Sequence, residues 1–260
     1  MNPRLRQLVG RVVRATFPRV AYPVLRGPLK GARFVLGSLS GRGCGSSVYF
    51  NLVEQEQTIV VQNMVTMGET FFDIGANVGY YSILASRLVG PNGTVIAIEP
   101  SVRNVAYLYR HKQLNRAKNM MIVFAACSDR TGLASFVQGS SFAEGHLQPD
   151  RNIRRTPTGG YSVVPTVSVD DLVARLGSEP DTIKIDIEGA ELSVLHGAEG
   201  TLKKTGPRVF LSVHSAALRT DCLEYLHAIG YRSRGLDGNE SEASQYLLTR
   251  ETNGGHVRSS

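Results

Sequence analysis

The chain has 260 residues, 42% of them hydrophobic, and a net charge of +7, which is enough for one substantial core and ordinary for a globular protein. The charge is local. Residues 1–53 hold nine basic residues (Arg4, Arg6, Arg11, Arg14, Arg19, Arg26, Lys30, Arg33 and Arg42) and no acid, leaving 20 basic against 22 acidic residues in the remainder. Cys44, Cys127 and Cys222 are odd in number and far apart, which argues against a disulfide framework or a zinc knot and fits a reducing compartment. With no apolar run approaching the roughly 20 residues of a membrane span and no apolar core of a secretion signal, a soluble, cytoplasmic protein is expected.

Leu5, Leu8, Val9, Val12, Val13 and Thr16 share one side of a predicted helix that Pro18 ends, with arginines on its other side. Such a helix either covers an edge of the domain or brings residues 1–33 to an anionic membrane surface or an acidic partner; an arginine-rich, acid-free start also fits an organellar transit peptide. Residues 27–50 are rich in glycine and serine, with β-like pieces at 32–36 and 47–50, and form a lead-in segment. The main domain is expected over 54–251, opening with a helix at 54–67 and followed by a short tail, 252–260.

Thr70 to Ile74 reads as a strand, Gly75 to Gly79 as a tight turn, and Tyr80 onward as a helix up to Gly90-Pro91, together half a βαβ unit. Gly93 to Pro100 is a continuous apolar strand of the kind buried on both faces in a parallel sheet. Residues 101–114 read as helix and 120–126 as a third buried strand. This alternation predicts a doubly wound α/β sheet with its ligand site beyond the C-terminal strand ends. The pattern lapses over 132–164, apart from a hairpin strand near 133–137; a long polar loop there is either a lid or disordered. Ser168 should cap a short helix. Strands at 181–189 and 207–214, helices from 190 to about 204 and from 221 to 229, and two final strands at 231–236 and 244–250 complete the domain.

The turn spells Asp73-Ile-Gly75-Ala-Asn77-Val-Gly79. Its glycines allow a ligand close to the backbone, and free amides at the helix start can face it. Glu99 ends the second strand 24 positions after Gly75, near the offset at which an acid meets ribose hydroxyls; a strand-end acid can equally be a cap or a surface charge. Asn77 replaces the middle glycine of the pyrophosphate fingerprint, and Asp73 can brace the loop or receive an ammonium. Together the acids favour S-adenosylmethionine over NAD. Asp186 and Glu188, two apart on one strand, should point to the same face, with His214 ending the next. If those strands are neighbours, a His–carboxylate pair can act as general base on a hydroxyl. The same groups could hold a divalent cation, though no metal is expected. Lys184 shares the face of Asp186 and should neutralise it.

With these residues in place, the chain resembles the FkbM-type S-adenosylmethionine-dependent methyltransferases. The likeness runs from about Thr70 to Tyr231 and rests on 72–82 (Phe-Asp-Ile-Gly-Ala-Asn-Val-Gly-Tyr-Tyr-Ser), 98–101 (Ile-Glu-Pro-Ser), 126–132 (Ala-Cys-Ser-Asp-Arg-Thr-Gly), 169–172 (Val-Asp-Asp-Leu) and 183–191 (Ile-Lys-Ile-Asp-Ile-Glu-Gly-Ala-Glu). The resemblance implies a Rossmann-like, seven-stranded methyltransferase sheet with an antiparallel last strand. It also implies O-methylation of a sugar, polyketide or related small metabolite bearing a hydroxyl. By the same resemblance Asp73, Gly75, Asn77, Gly79 and Glu99 contact the cofactor, with Ser128 and Asp129 near the adenine. Ser212 stands where many members carry an acid two places before the histidine, which leaves His214 to act with Asp186 or Glu188.

Amino-group methyltransferases of this fold commonly carry an Asn/Asp-Pro-Pro-aromatic segment after the fourth strand; Asp186-Ile-Glu-Gly stands here, which favours a hydroxyl acceptor. A nucleic-acid methyltransferase gripping through the basic N-terminus is a weaker reading, since those basic residues lack interleaved aromatics. A NAD-dependent oxidoreductase and a non-catalytic cofactor-binding protein complete the alternatives.

Overall fold

A computed structural model describes residues 20–35, 38, 46–50, 53–138, 145–148, 161–237 and 242–250. The expected N-terminal helix, the tail from 252 and much of the 139–160 segment lie outside them. Strands β1 (Ala21–Pro23) and β2 (Arg33–Val35) pair antiparallel. Residues 46–49 form a helical turn, α1 (Ser46–Tyr49), where a β-like piece was expected. Tertiary anchoring overrides β propensity there: the Tyr49 hydroxyl donates to the Phe34 carbonyl at 2.7 Å.

Helix α2 (Gln55–Met64) leads into β3 (Thr70–Ile74), α3 (Tyr80–Val89), β4 (Thr94–Ile98), α4 (Val102–Leu114) and β5 (Met120–Val123). The third strand stops earlier than the apolar run suggested. Ala125 N donates to Val123 O at 3.1 Å, a three-residue turn that passes the chain to β6 (Ala126–Cys127) in a second sheet. That sheet, of order β6-β9-β7-β8, also holds β7 (Gly132–Gln138), β8 (Gly145–Gln148) and β9 (Tyr161–Val167). Part of the region without readable pattern is therefore strand.

Helix α5 (Val169–Leu176) starts as the spacing predicted, with Ser168 Oγ accepting from Asp171 N at 3.1 Å. Then come β10 (Thr182–Ile185), α6 (Glu191–His196), α7 (Glu199–Lys204), β11 (Arg208–Ser212), α8 (Ala216–Ala228), β12 (Tyr231–Gly235) and β13 (Gln245–Arg250). The single helix expected after β10 is two. It breaks at Gly197, where a β-carbon would lie 2.1 Å from the Ser128 carbonyl oxygen.

The main sheet has the order β12-β13-β11-β10-β3-β4-β5. Its strands are parallel except β13, which runs antiparallel to both neighbours. Alternation along the strands divides the core in two. Phe71, Val95 and Ala97 pack to one face with α3 and Leu108 of α4, while Phe72, Ile74, Ile96, Ile183 and Ile185 pack to the other with α6, α7 and α8. From β3 the chain works outward through β4 and β5, then returns to β10 on the other side, so strand order reverses between β10 and β4. A crevice at the C-terminal ends of β3 and β10 is where an open α/β sheet binds its ligand.

Candidate active site

The loop after β3 contains three left-handed residues, Gly75 (φ 81), Asn77 (φ 51) and Gly79 (φ 94). A β-carbon on Gly75 would meet the Asp186 carbonyl oxygen at 2.0 Å, and one on Gly79 would meet Leu108 Cδ1 at 2.5 Å. The glycines are thus demanded by contacts inside the fold, where the sequence had suggested room for a ligand. The loop amides are also largely engaged. Gly75 N and Ala76 N both donate to Ile98 O at 3.0 Å, Gly79 N donates to Ala76 O, and Asn77 N donates to Glu99 Oε2 at 2.9 Å.

Glu99 is therefore the brace of this loop. Its other oxygen accepts from Ser101 N at 2.9 Å and Asn104 Nδ2 at 3.3 Å. Burial pushes its carboxyl up, while the three donors pull the other way. A carboxylate offers about four acceptor positions, so room for a further donor is left. Asp73 is buried, and its Oδ2 accepts from the Ser82 hydroxyl. Its Oδ1 is buried with no hydrogen-bond partner among the described residues. Desolvation raises the Asp73 carboxyl, against the pull of Lys184. An orphaned acceptor of this kind fits a cationic ligand group such as an ammonium. Ser128 and Asp129 follow β6, with Ser128 Oγ donating to Asp129 Oδ1 at 3.0 Å and Gly197 pressed against their backbone.

Asp186 and Glu188 lie just beyond β10 in an irregular turn, not on the strand itself. They still converge, because β10 and β11 are adjacent and parallel. Asp186 Oδ1 is 3.8 Å and Glu188 Oε1 is 3.9 Å from His214 Nε2. On the far side of the ring, His214 Nδ1 is 2.7 Å from Glu191 Oε1. Glu191 closes the 183–191 block of the resemblance, but the sequence reading gave it no role in the site. At the first position of a helix an acid reads as an ordinary complement to the helix dipole, and its spacing from His214 gave no hint of the pairing. The hydrogen bond to Glu191 above all, with Asp186 and Glu188 adding charge, outweighs burial and raises His214 to about 8.

Lys184 is fully buried with its Nζ 2.7 Å from Asp186 Oδ2 and 4.5 Å from the centroid of the Tyr81 ring. The ion pair anticipated from the strand face is formed. Burial alone would push Lys184 down, but Asp186, Glu54 and Asp73 outweigh it and hold the ammonium charged. Burial would likewise push Asp186 up, and Lys184 and then His214 reverse that and keep it ionised. Among the described residues Ser212 Oγ is buried without a well-formed hydrogen bond, though close enough to Asp186 to favour its charged form. Among the described residues no group of three or more His, Cys, Asp or Glu side chains is arranged to hold a metal ion, and no helix is long and apolar enough to cross a membrane.

A seven-stranded sheet with an antiparallel last strand, a glycine loop at its switch point and an acid ending the neighbouring strand together define a Rossmann-like methyltransferase fold. The match of residues 73–233 to the methyltransferase FkbM domain covers more than half of the chain, and the chain belongs to that family. Membership implies S-adenosylmethionine as methyl donor. A hexuronic acid methyltransferase of Haloferax volcanii is 26% identical over 159 residues, 61% of each chain. The crystal structure of a methyltransferase FkbM from Methylobacillus flagellatus superposes with a TM-score of 0.50 at 18% identity, covering 80% of this chain and 54% of that one. That of a putative rRNA methylase from Clostridium thermocellum gives 0.51 at 11% identity, covering 76% and 96%. The chain thus spans about three fifths of the curated relative and about half of the Methylobacillus protein. The two structures share the fold.

Proposed function

We propose that the chain transfers a methyl group from S-adenosylmethionine to a hydroxyl oxygen of a sugar or related small metabolite, with His214 as general base. The observation that carries this reading is the placement of His214 Nε2 between Asp186 and Glu188, on a strand end that rests on the glycine loop through the Gly75–Asp186 contact. The cofactor half of the site would be Asp73, whose unpartnered Oδ1 suits an ammonium, with Glu99 toward the ribose, the Gly75–Gly79 loop beneath, and Ser128 and Asp129 toward the adenine. When bound, the cofactor supplies an electrophilic methyl on a sulfonium, so that an O–C bond forms as the C–S bond breaks and S-adenosylhomocysteine remains. His214 Nε2 takes the hydroxyl proton. Asp186 Oδ1 and Glu188 Oε1 steady the resulting imidazolium and accept from neighbouring hydroxyls. Proton removal of this type contributes roughly 10² to 10⁴ in rate, and positioning roughly 7 to 11 kcal/mol.

The relative named for a hexuronic acid brings a second reading, methylation of a carboxylate. A carboxylate needs no base, and His214, with a pKa of about 8, is an imidazolium at neutral pH that could pair with it. Charge favours the hydroxyl reading. Asp186, Glu188 and Glu191 outnumber Lys184 and His214 around the acceptor position, and an anionic acceptor would be repelled. The pH dependence separates the two. With methyl-labelled cofactor and a panel of neutral and uronic glycosides, base-assisted hydroxyl transfer rises between pH 7 and 9 as His214 loses its proton and falls by roughly 10²- to 10⁴-fold in His214→Asn. Transfer that falls over the same range would establish the carboxylate reading and sink the hydroxyl one.

A further inference from the structure

We propose that Glu191 is the positioning residue of this site, holding the His214 ring by Nδ1 so that the nitrogen left basic is Nε2, the one facing the acceptor. The inference rests on the reading of His214 as the base and identifies what aims it. Three carboxylates surround the imidazole, but only one can orient it. Asp186 Oδ1 at 3.8 Å and Glu188 Oε1 at 3.9 Å lie beyond hydrogen-bond range, and Asp186 is already committed through its other oxygen to Lys184. Glu191 Oε1 at 2.7 Å has the length of a charge-assisted bond.

Burial gives the second argument. Glu191 is fully buried, and among the described residues its Oε2 finds no partner and no lysine or arginine is paired with it. An ionised carboxylate in such a place costs several kcal/mol unless a cation answers it, and the imidazolium of His214 is the cation in contact. The thiol of Cys222 on α8 also feels Glu191: burial first, and then that carboxylate, push it up to about 12, so it stays neutral and adds no charge. The groups facing the ring are then Glu191 on Nδ1 and Asp186 and Glu188 toward Nε2, with Lys184 behind Asp186. Proton loss from Nδ1 would leave two buried lone pairs opposed with no proton between them. Loss from Nε2 keeps the Nδ1–Glu191 bond and leaves the lone pair on the side of Asp186 and Glu188. This is the orienting acid, base and nucleophile order that activates hydroxyls in hydrolases, here with the acid at a helix start.

The test needs no acceptor. In protein labelled with ¹⁵N at its six histidines, His214 is assigned by its loss in His214→Asn, and its ring is titrated from pH 5 to 10. The expected result is a midpoint near 8 with the Nδ1–H tautomer above it. In Glu191→Gln the midpoint should fall by about one unit and the two tautomers should mix, while affinity for S-adenosylhomocysteine, measured calorimetrically, changes less than about threefold. An Nε2–H tautomer in the unmodified protein overturns the proposal, and that spectrum decides even if the variant fails to fold. An unmoved midpoint in Glu191→Gln, or collapse of cofactor affinity in that variant, overturns it as well. Should the ring behave as stated while no hydroxyl acceptor is methylated, the positioning role stands and the proposed reaction falls.

Discussion

The backbone carbonyl of Asp186 lies directly against Gly75, so close that a β-carbon there would come within 2.0 Å of it. The loop expected to seat the cofactor and the turn that carries Asp186, the proposed acceptor-side acid, are therefore one packed unit. Gly75→Ala adds a clash with backbone to an unfavourable left-handed φ and should cost at least about 2 kcal/mol. Gly177→Ala, also left-handed but with open space around it, should cost about 1 kcal/mol. Urea denaturation of the two variants compares them directly. Equal losses would show that the Asp186 contact adds nothing.

Glu99 spends its two oxygens on three N–H donors from Asn77, Ser101 and Asn104. Glu99→Gln keeps one acceptor oxygen and turns an amide toward donors that need an acceptor. Stability should fall by roughly 1 to 3 kcal/mol, and affinity for S-adenosylhomocysteine by about 10- to 100-fold, which calorimetry would read. A variant that binds as tightly as the parent would remove Glu99 from the cofactor site.

Lys184 is the buried cation between Asp73 and Asp186. Lys184→Met strands both carboxylates, and removal of one member of a buried ion pair costs roughly 3 to 5 kcal/mol. The loss carries a pH signature. Without the ammonium both acids should titrate above their unfolded values, so the deficit is full at neutral pH and shrinks as pH falls and they take up protons. A deficit independent of pH would mean that the ammonium matters only for its volume.

His111 is buried, accepts from Val35 N at 3.0 Å through Nε2, and is 2.6 Å from Val78 O through Nδ1, which must therefore carry the proton. Burial drives it down to about 4. Because the folded value lies below the unfolded one, its stabilising share is present above about pH 6.5 and is lost as pH falls toward 4, a change of roughly 3 kcal/mol. His111→Leu should be less stable than the parent at pH 7, with the gap narrowing by that amount at pH 4. Hydrogen exchange at Val35 should quicken in the variant.

The sheet was legible because its strands are long apolar runs whose neighbours in sequence are amphipathic helices, and β3, β4, β10 and β11 stand where those runs fall. The placement of Asp73, Glu99, Asp186 and His214 at or just beyond neighbouring strand ends was legible because the sheet order follows from this architecture; their roles remain the proposal made above. What could not be read depends on contacts between distant segments. Gly197 looks like any mid-helix glycine until Ser128 is found against it, and Glu191 looks like a dipole acid until His214 is found beside it. Tyr161 to Val167 was obscured by the segment before it, and the helical turn at 46–49 owes its form to Tyr49 reaching Phe34.

Helix α6 is six residues long, about 9 Å at 1.5 Å per residue. Glu191 begins it, bonded to His214, and Gly197 follows its last residue, seated on Ser128. In the proposed site it would act as a spacer between the reactive end and the adenine end of one ligand. A single inserted residue would swing Glu191 by about 100° relative to Gly197, while four would bring it back to within about 40° and stretch the spacer by roughly 6 Å. Changes of length in this short helix should be tolerated far less than substitutions along it.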